Sequence, residues 1–208
     1  MSYRLLLSEK KDGPIENKQD IKKFLEKKGI NKKLIRADLA HGKKVAIVNK
    51  NSKKLIKKTD GLITKDDLAL AVTVADCLPI YFYSPKITGI LHGGWRGIEK
   101  GIVEEMIKKL KAVNEKPKNL SVFIGPSIKV CHFEVGDDLV EKFLNYKDCF
   151  RKEKSKKFLN LQKVVKLKLK DKNVENIKIS SRCTYCSPEL FSYRKEGEVN
   201  KILAVITK

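Results

Sequence analysis

The stretch Ala69–Gly97, ALAVTVADCLPIYFYSPKITGILHGGWRG, decides how this chain is read. From Leu68 to Ala75 it is apolar at successive rather than alternate positions, the pattern of a strand covered on both faces. A second apolar run follows Asp76-Cys77, the chain turns after Ser84-Pro85, and Thr88 to His92 returns as another strand. His92 then opens onto Gly93, Gly94, Trp95, Arg96 and Gly97. A carboxylate, a thiol, an imidazole and a guanidinium therefore stand at strand ends and beside glycines, not on a solvated helix face.

On the C-terminal side of this stretch, Ile102, Val103, Met106, Ile107, Leu110 and Val113 recur at helical spacing, with Glu104 and Lys108, and Glu105 and Lys109, as i,i+4 pairs. This pattern predicts one helix from Ile98, with its positive end near Arg96 and favourable to an anion. On the N-terminal side, Tyr3–Ser8 reads as a strand, and Asn17 or Asp20 caps a helix that ends at Gly29. Lys44–Asn49 and Gly61–Thr64 are two more strands, the second following a turn at Thr59-Asp60-Gly61, and His41 sits where a loop enters the first.

Further along, Leu120–Ile124 is a strand, and a helix runs from Asp137 or Asp138 to about Leu144. Asn145–Lys157, rich in lysine and poor in apolar anchors, reads as an exposed loop. Leu161–Lys170 reads as a helix, and Ile177–Ser180 and Ile202–Ile206 as strands. About eight strands interspersed with about four helices make an α/β (α+β) fold, expected to be one domain over residues 1–208.

A chain of 208 residues, 41% hydrophobic and 34% charged, is globular and long enough to bury a large core. No run approaches the roughly 18 apolar residues of a membrane span, and Leu5-Leu6-Leu7 is too short for a signal-peptide core, so a cytoplasmic location is expected and no membrane partner. The five scattered cysteines are odd in number and do not form a disulfide framework. The net charge of +21 comes mostly from dispersed lysines without an arginine-rich or aromatic-interleaved stripe, so it reads as a solvated surface and not as specific nucleic-acid binding.

His41, Cys77 and His92 offer two imidazoles and a thiolate, a three-ligand zinc set that leaves a fourth position open, as catalytic zinc requires. The competing reading makes Cys77 a small buried hydrophobe and each histidine a hydrogen-bonded strand end. A hairpin turning near Lys86 would set His92 opposite about Ile80, roughly 10 Å along the strand from Cys77. Convergence therefore needs a break, for which Pro79 is the candidate. Cys183-x-x-Cys186 lacks a second C-x-x-C pair and reads as packing, as do Cys131 and His132. Arg194, after two aromatics, is open between a surface pair and an anion contact.

TDGLITKDDLALAVTVADCLPIYF, HGGWRG, FIGPSIKVCHFEVG and CTYCSPELFSYR, in that order, resemble the family first called multicopper polyphenol oxidases, or laccase-domain proteins, and later described as purine nucleoside phosphorylases with adenosine deaminase activity. The resemblance implies mixed β-sheets covered by helices on their outer faces, similar to the catalytic domains of toxin deamidases. It also implies a metal held by histidine, cysteine and histidine, which map onto His41, Cys77 and His92. Three positions depart from the family's pattern: Leu39 stands where a glutamine is usual, His132 where a second cysteine is usual, and Glu198-Val199-Asn200 where Thr-Gly-Arg is usual.

The expected activity is phosphorolysis of adenosine or inosine and deamination of adenosine, with zinc as cofactor and copper as the alternative metal, and with purine nucleosides and phosphate as partners. Zinc would lower the pKa of bound water toward about 7 for attack at C6. Arg96, with Arg194, is assigned to phosphate, and Asp76 to support or to acid/base work. Copper-dependent phenol oxidation is the older alternative, but the chain has three histidines in all, too few for several copper centres. A third reading makes Cys77, activated by His92, a metal-free nucleophile for amide hydrolysis.

Overall fold

The computed structural model of the protein describes residues 3–197 and 200–208. The N-terminal half comprises β1 (Arg4–Leu7), α1 (Lys18–Lys27), β2 (Leu34–Ala37), β3 (Val45–Ile47), β4 (Leu55–Ile56), β5 (Gly61–Thr64), β6 (Ala69–Val74), β7 (Leu78–Ser84) and β8 (Ile87–Gly93). It continues with α2 (Trp95–Glu99), α3 (Ile102–Ala112), β9 (Ser121–Ile124), β10 (Glu134–Val135), α4 (Asp137–Lys142), β11 (Phe150–Glu153) and β12 (Lys156–Leu159). α5 (Leu161–Lys170), β13 (Asn176–Ile179), α6 (Tyr193–Glu196) and β14 (Ile202–Thr207) complete it.

Two large mixed sheets lie face to face. One has the order β1-β14-β6-β2-β4 and the other β13-β9-β7-β8-β5-β3, while β10-β12-β11 form a small third sheet. The doubly apolar character of β6 follows from its alternation. Leu70, Val72 and Val74 point to the other large sheet, where they meet Leu62, Tyr81 and Ile90. Ala69 and Ala71 point outward to Ile21, Phe24 and Leu25 of α1, and their small side chains let the helix approach. β7 alternates likewise, with Ile80 and Phe82 packing on Ile102, Met106 and Leu110 of α3 and on Val164 and Val165 of α5. The layers are thus helix, sheet, sheet, helix, and each buried Leu or Ile contributes about 1.5–3 kcal/mol. This is the mixed α/β fold expected from the residue pattern, with the helices outermost as the family resemblance implies. No helix among the described residues is long and apolar enough to cross a membrane.

Local signals hold where they are strongest. Asn17 accepts hydrogen bonds from the backbone of Gln19 and Asp20, Asp20 answers to the Asn17 N–H, and Gly29 takes φ +64° after α1. Three expectations are corrected. The helix placed at Ile98 is two helices, because Gly101 adopts the left-handed φ of +88°, so the long helix begins at Ile102 and Arg96 lies on the short helix before it. The segment 145–157 is not a loop. It holds β11 and the start of β12, turned at Lys154 (φ 53°), and it goes unnoticed because only Cys149, Phe158 and Leu159 are buried among solvated lysines. The described residues also contain fourteen strands and six α-helices, not eight and four, since short strands such as β2 and β4 carry too few residues to show a period.

Candidate active site

The β7–β8 hairpin turns tightly, with Ser84 opposite Ile87, and this register sets His92 opposite Pro79 rather than Ile80. Cys77 lies just before the first residue of β7. Asp76, at φ 76°, takes the left-handed conformation between β6 and β7 and swings the Cys77 side chain toward His92. The chain break therefore falls at Asp76, and not at Pro79. His41 arrives from the loop between β2 and β3, also left-handed at φ 53°. The ligand atoms of His41, Cys77 and His92 all lie within 4.8 Å of one another, and the two imidazoles meet edge to face at 4.8 Å between centroids.

One residue that the sequence reading treated as a turn organises this cluster. Asp60, fully buried at the edge of β5, accepts the backbone N–H of His41 at 2.9 Å on Oδ1 and those of Ala40 and Gly42 at 3.2 and 2.9 Å on Oδ2. Its Oδ1 also lies 3.0 Å from His92 Nδ1, while its backbone carbonyl takes the His92 N–H at 2.8 Å. Asp60 thus holds the His41 loop by its backbone and leaves His92 Nε2 free for the cluster. A carboxylate directly before the short strand GLIT, apolar at Leu62 and Ile63, was the only signal that could have found it. Leu39 does not take part in this network; it is half-buried against the core between the sheets.

Within the cluster the charges of Cys77, His92 and Asp60 pair. Burial would raise the Cys77 thiol, but His41 and His92 outweigh it and bring it down to about 7. Burial likewise opposes charge on His92, yet Asp60 and Cys77 raise it to about 9. Burial of Asp60 is overcome by His92 and the backbone N–H groups of Gly42 and Ala40, which hold its carboxyl below the usual range.

The donors fit a metal ion. Two neutral imidazole nitrogens and a thiolate suit the ~2.0–2.3 Å bonds of zinc, and Gly94 leaves the space beside them open. A Cβ there would stand 3.3 Å from Cys77 Sγ, 3.4 Å from His92 Cε1 and 3.5 Å from His41 Cδ2. Gly97 is just as constrained, since a Cβ on it would meet the Gly42 carbonyl oxygen at 2.7 Å. Gly97→Ala is therefore expected to cost about 1–3 kcal/mol by displacing the His41–Gly42 loop, read as a lower denaturation midpoint together with weaker zinc retention.

The cluster opens into a cleft of about 990 Å³, whose walls include Arg96, Arg194, Phe133 and Ile128. That is at the upper end of the ~300–1,000 Å³ typical of small-molecule sites. Arg96 is exposed on α2, with its guanidinium 4.3 Å over the Trp95 ring. Arg194, at the start of α6, gives its backbone N–H to Asp76 Oδ2 at 2.7 Å and its Nη1 to the Glu134 carbonyl at 3.1 Å. Asp76 Oδ1 accepts from the Thr184 hydroxyl at 2.5 Å. Both oxygens of this carboxylate are thus engaged. The Glu198-Val199 part of the missing Thr-Gly-Arg lies outside the described residues.

Residues 6–208 match the family model described as multi-copper polyphenol oxidoreductase laccase. The chain belongs to this family. Among its relatives is a purine nucleoside phosphorylase of Aquifex aeolicus, 31% identical over 79% of this chain and 77% of that one. Another, of Clostridium acetobutylicum, is 36% identical over 73% and 67%. YfiH of Bacillus licheniformis superposes with a TM-score of 0.85 at 28% identity, covering 91% of this chain and 79% of that one. YlmD of Geobacillus stearothermophilus gives 0.85 at 27% identity, covering 91% and 78%. In this member of the laccase-like family the three histidines are divided, two in the cleft and His132 elsewhere, so the cleft lacks the ligands of several copper centres.

Proposed function

We propose that the protein is a metal-dependent purine nucleoside phosphorylase that cleaves adenosine or inosine with phosphate to free base and ribose 1-phosphate, and that it also deaminates adenosine. The observation that carries this reading is the convergence of His41, Cys77 and His92 at an open cleft with Arg96 and Arg194 in its walls. The relatives named purine nucleoside phosphorylase support it.

In phosphorolysis a phosphate oxygen bonds to ribose C1′ as the C1′–N9 bond breaks, and the electron pair leaves with the purine, which takes up a proton. His41, Cys77 and His92 would hold the zinc ion, which would supply Lewis acidity to the cleft. Arg96 meets the phosphate charge, and Arg194, held through its backbone by Asp76, adds a second guanidinium. Asp76 acts as a positioning residue, since both of its oxygens already accept hydrogen bonds. Asp60 fixes the His92 tautomer, and Cys77 supplies negative charge as thiolate.

The test is incubation of metal-counted protein with adenosine or inosine and phosphate, followed by chromatography for adenine, hypoxanthine, inosine and ribose 1-phosphate. Turnover is expected to disappear on chelation and return with zinc. A zinc-loaded protein that turns over no purine nucleoside defeats the reading. The line from Cys77 through His92 to Asp60 also favours a metal-free cysteine hydrolase as a second reading. Activity on an amide that survives chelation would establish it instead.

A further inference from the structure

The loop between β9 and β10 and the loop between β13 and α6 bring Cys131, His132, Cys183 and Cys186 together, with all four ligand atoms within 4.8 Å of one another. The sequence reading treated these residues as packing. We propose that they form a second metal site, a closed Cys3His zinc centre that fastens one wall of the cleft. It is independent of the metal assigned to His41, Cys77 and His92.

The spacing carries the assignment. Zinc–sulfur bonds of about 2.3 Å and zinc–nitrogen bonds of about 2.0–2.1 Å give a tetrahedron with edges of roughly 3.8 Å between sulfurs and roughly 3.6 Å between sulfur and nitrogen. Cys131 Sγ lies 3.6 Å from Cys183 Sγ and 3.8 Å from Cys186 Sγ, and Cys186 Sγ lies 3.2 Å from His132 Nδ1. All three cysteines are free thiols, far from the ~2.05 Å of a disulfide. Thiol–thiol contacts at these separations are weak hydrogen bonds at most, whereas one soft divalent cation would engage all three sulfurs and the imidazole together.

The surroundings are built for ligation. The buried Cys183 sulfur faces the backbone N–H groups of Cys186 and Lys129 within the C-x-x-C turn. The His132 ring stacks on Tyr185, at 4.0 Å between centroids and 15° between planes, and this stacking fixes the direction of Nδ1. Four protein donors leave no open position, so the role is structural. The ion would clamp the loop that bears Thr184, which bonds Asp76, to the loop that runs into Phe133 and into the carbonyls that hold Arg194.

The experiment counts zinc in protein grown with added zinc and purified under reductant, for the natural sequence and for Cys77→Ser, Cys186→Ser and His132→Ala. About two zinc ions per chain are expected in the first and about one in each variant. Cys77→Ser protein stripped and reloaded with Co2+ alone should show the intense sulfur-to-cobalt charge-transfer band of a thiolate-rich tetrahedral site. Cys77→Ser combined with Cys183→Ser should lose that band. Failure of the first site alone leaves about one zinc, lost in Cys186→Ser and kept in Cys77→Ser, and still supports the second. The proposal is overturned if Cys186→Ser and His132→Ala retain the natural zinc count. It is equally overturned if Cys77→Ser takes up no cobalt with that band, or if mass spectrometry finds a disulfide among these cysteines in zinc-grown protein.

Discussion

Cys77→Ser is expected to lower phosphorolysis by at least about a thousandfold and to abolish zinc retention in the cleft, without unfolding the protein. The thiol is the only anionic donor in the set. Serine is close in size but stays protonated, so two neutral imidazoles are left to hold a dication. Cys77 is half-buried at a strand start, and the substitution removes no large apolar surface, so stability should change by about 1 kcal/mol or less. Product formation and metal content are measured on the same preparation. A variant that keeps the natural zinc count, or that stays within tenfold of the natural turnover, would remove Cys77 from the site. Because a nucleophilic cysteine would also be silenced, the chelation experiment separates the two mechanisms.

Asp60→Asn carries the second large effect, through His41 and His92 rather than through substrate. The carboxylate accepts three backbone N–H groups and faces His92 Nδ1. Asparagine can present only one oxygen, and its amide would turn N–H groups toward other donors in a fully buried site. One or two buried donors are then unpaired at about 1–3 kcal/mol each, and His92 loses its orienting partner. The expected result is a denaturation midpoint lowered by that amount and zinc affinity weakened about 10–100-fold against a competing chelator. An unchanged affinity with lowered stability would show that Asp60 supports the fold alone.

How much of this was legible in advance depends on the range of the interaction. The caps of α1, the strand register of apolar residues in β6 and the helical stripe of α3 are set by neighbours within a few residues, and they were read correctly. The break at Gly101 escaped because a glycine within a periodic stripe is tolerated in some helices and ends others, according to what packs around it. The β11–β12 hairpin escaped because its anchors are few and its lysines dominate the composition.

By itself the sequence determined the mixture of strands and helices and the chemical types in the cleft, because burial on one or two faces writes a period into the chain and few side chains bind metal. It did not determine that those types meet. That depended on a hairpin register one residue from the expected one, on the left-handed turn at Asp76, on the buried carboxylate of Asp60, and on loops that bring residues about fifty apart, Cys131 and Cys183, to 3.6 Å. Contacts between distant segments are selected by the packing of whole sheets. They leave no mark in local spacing, and only the tertiary structure decides them.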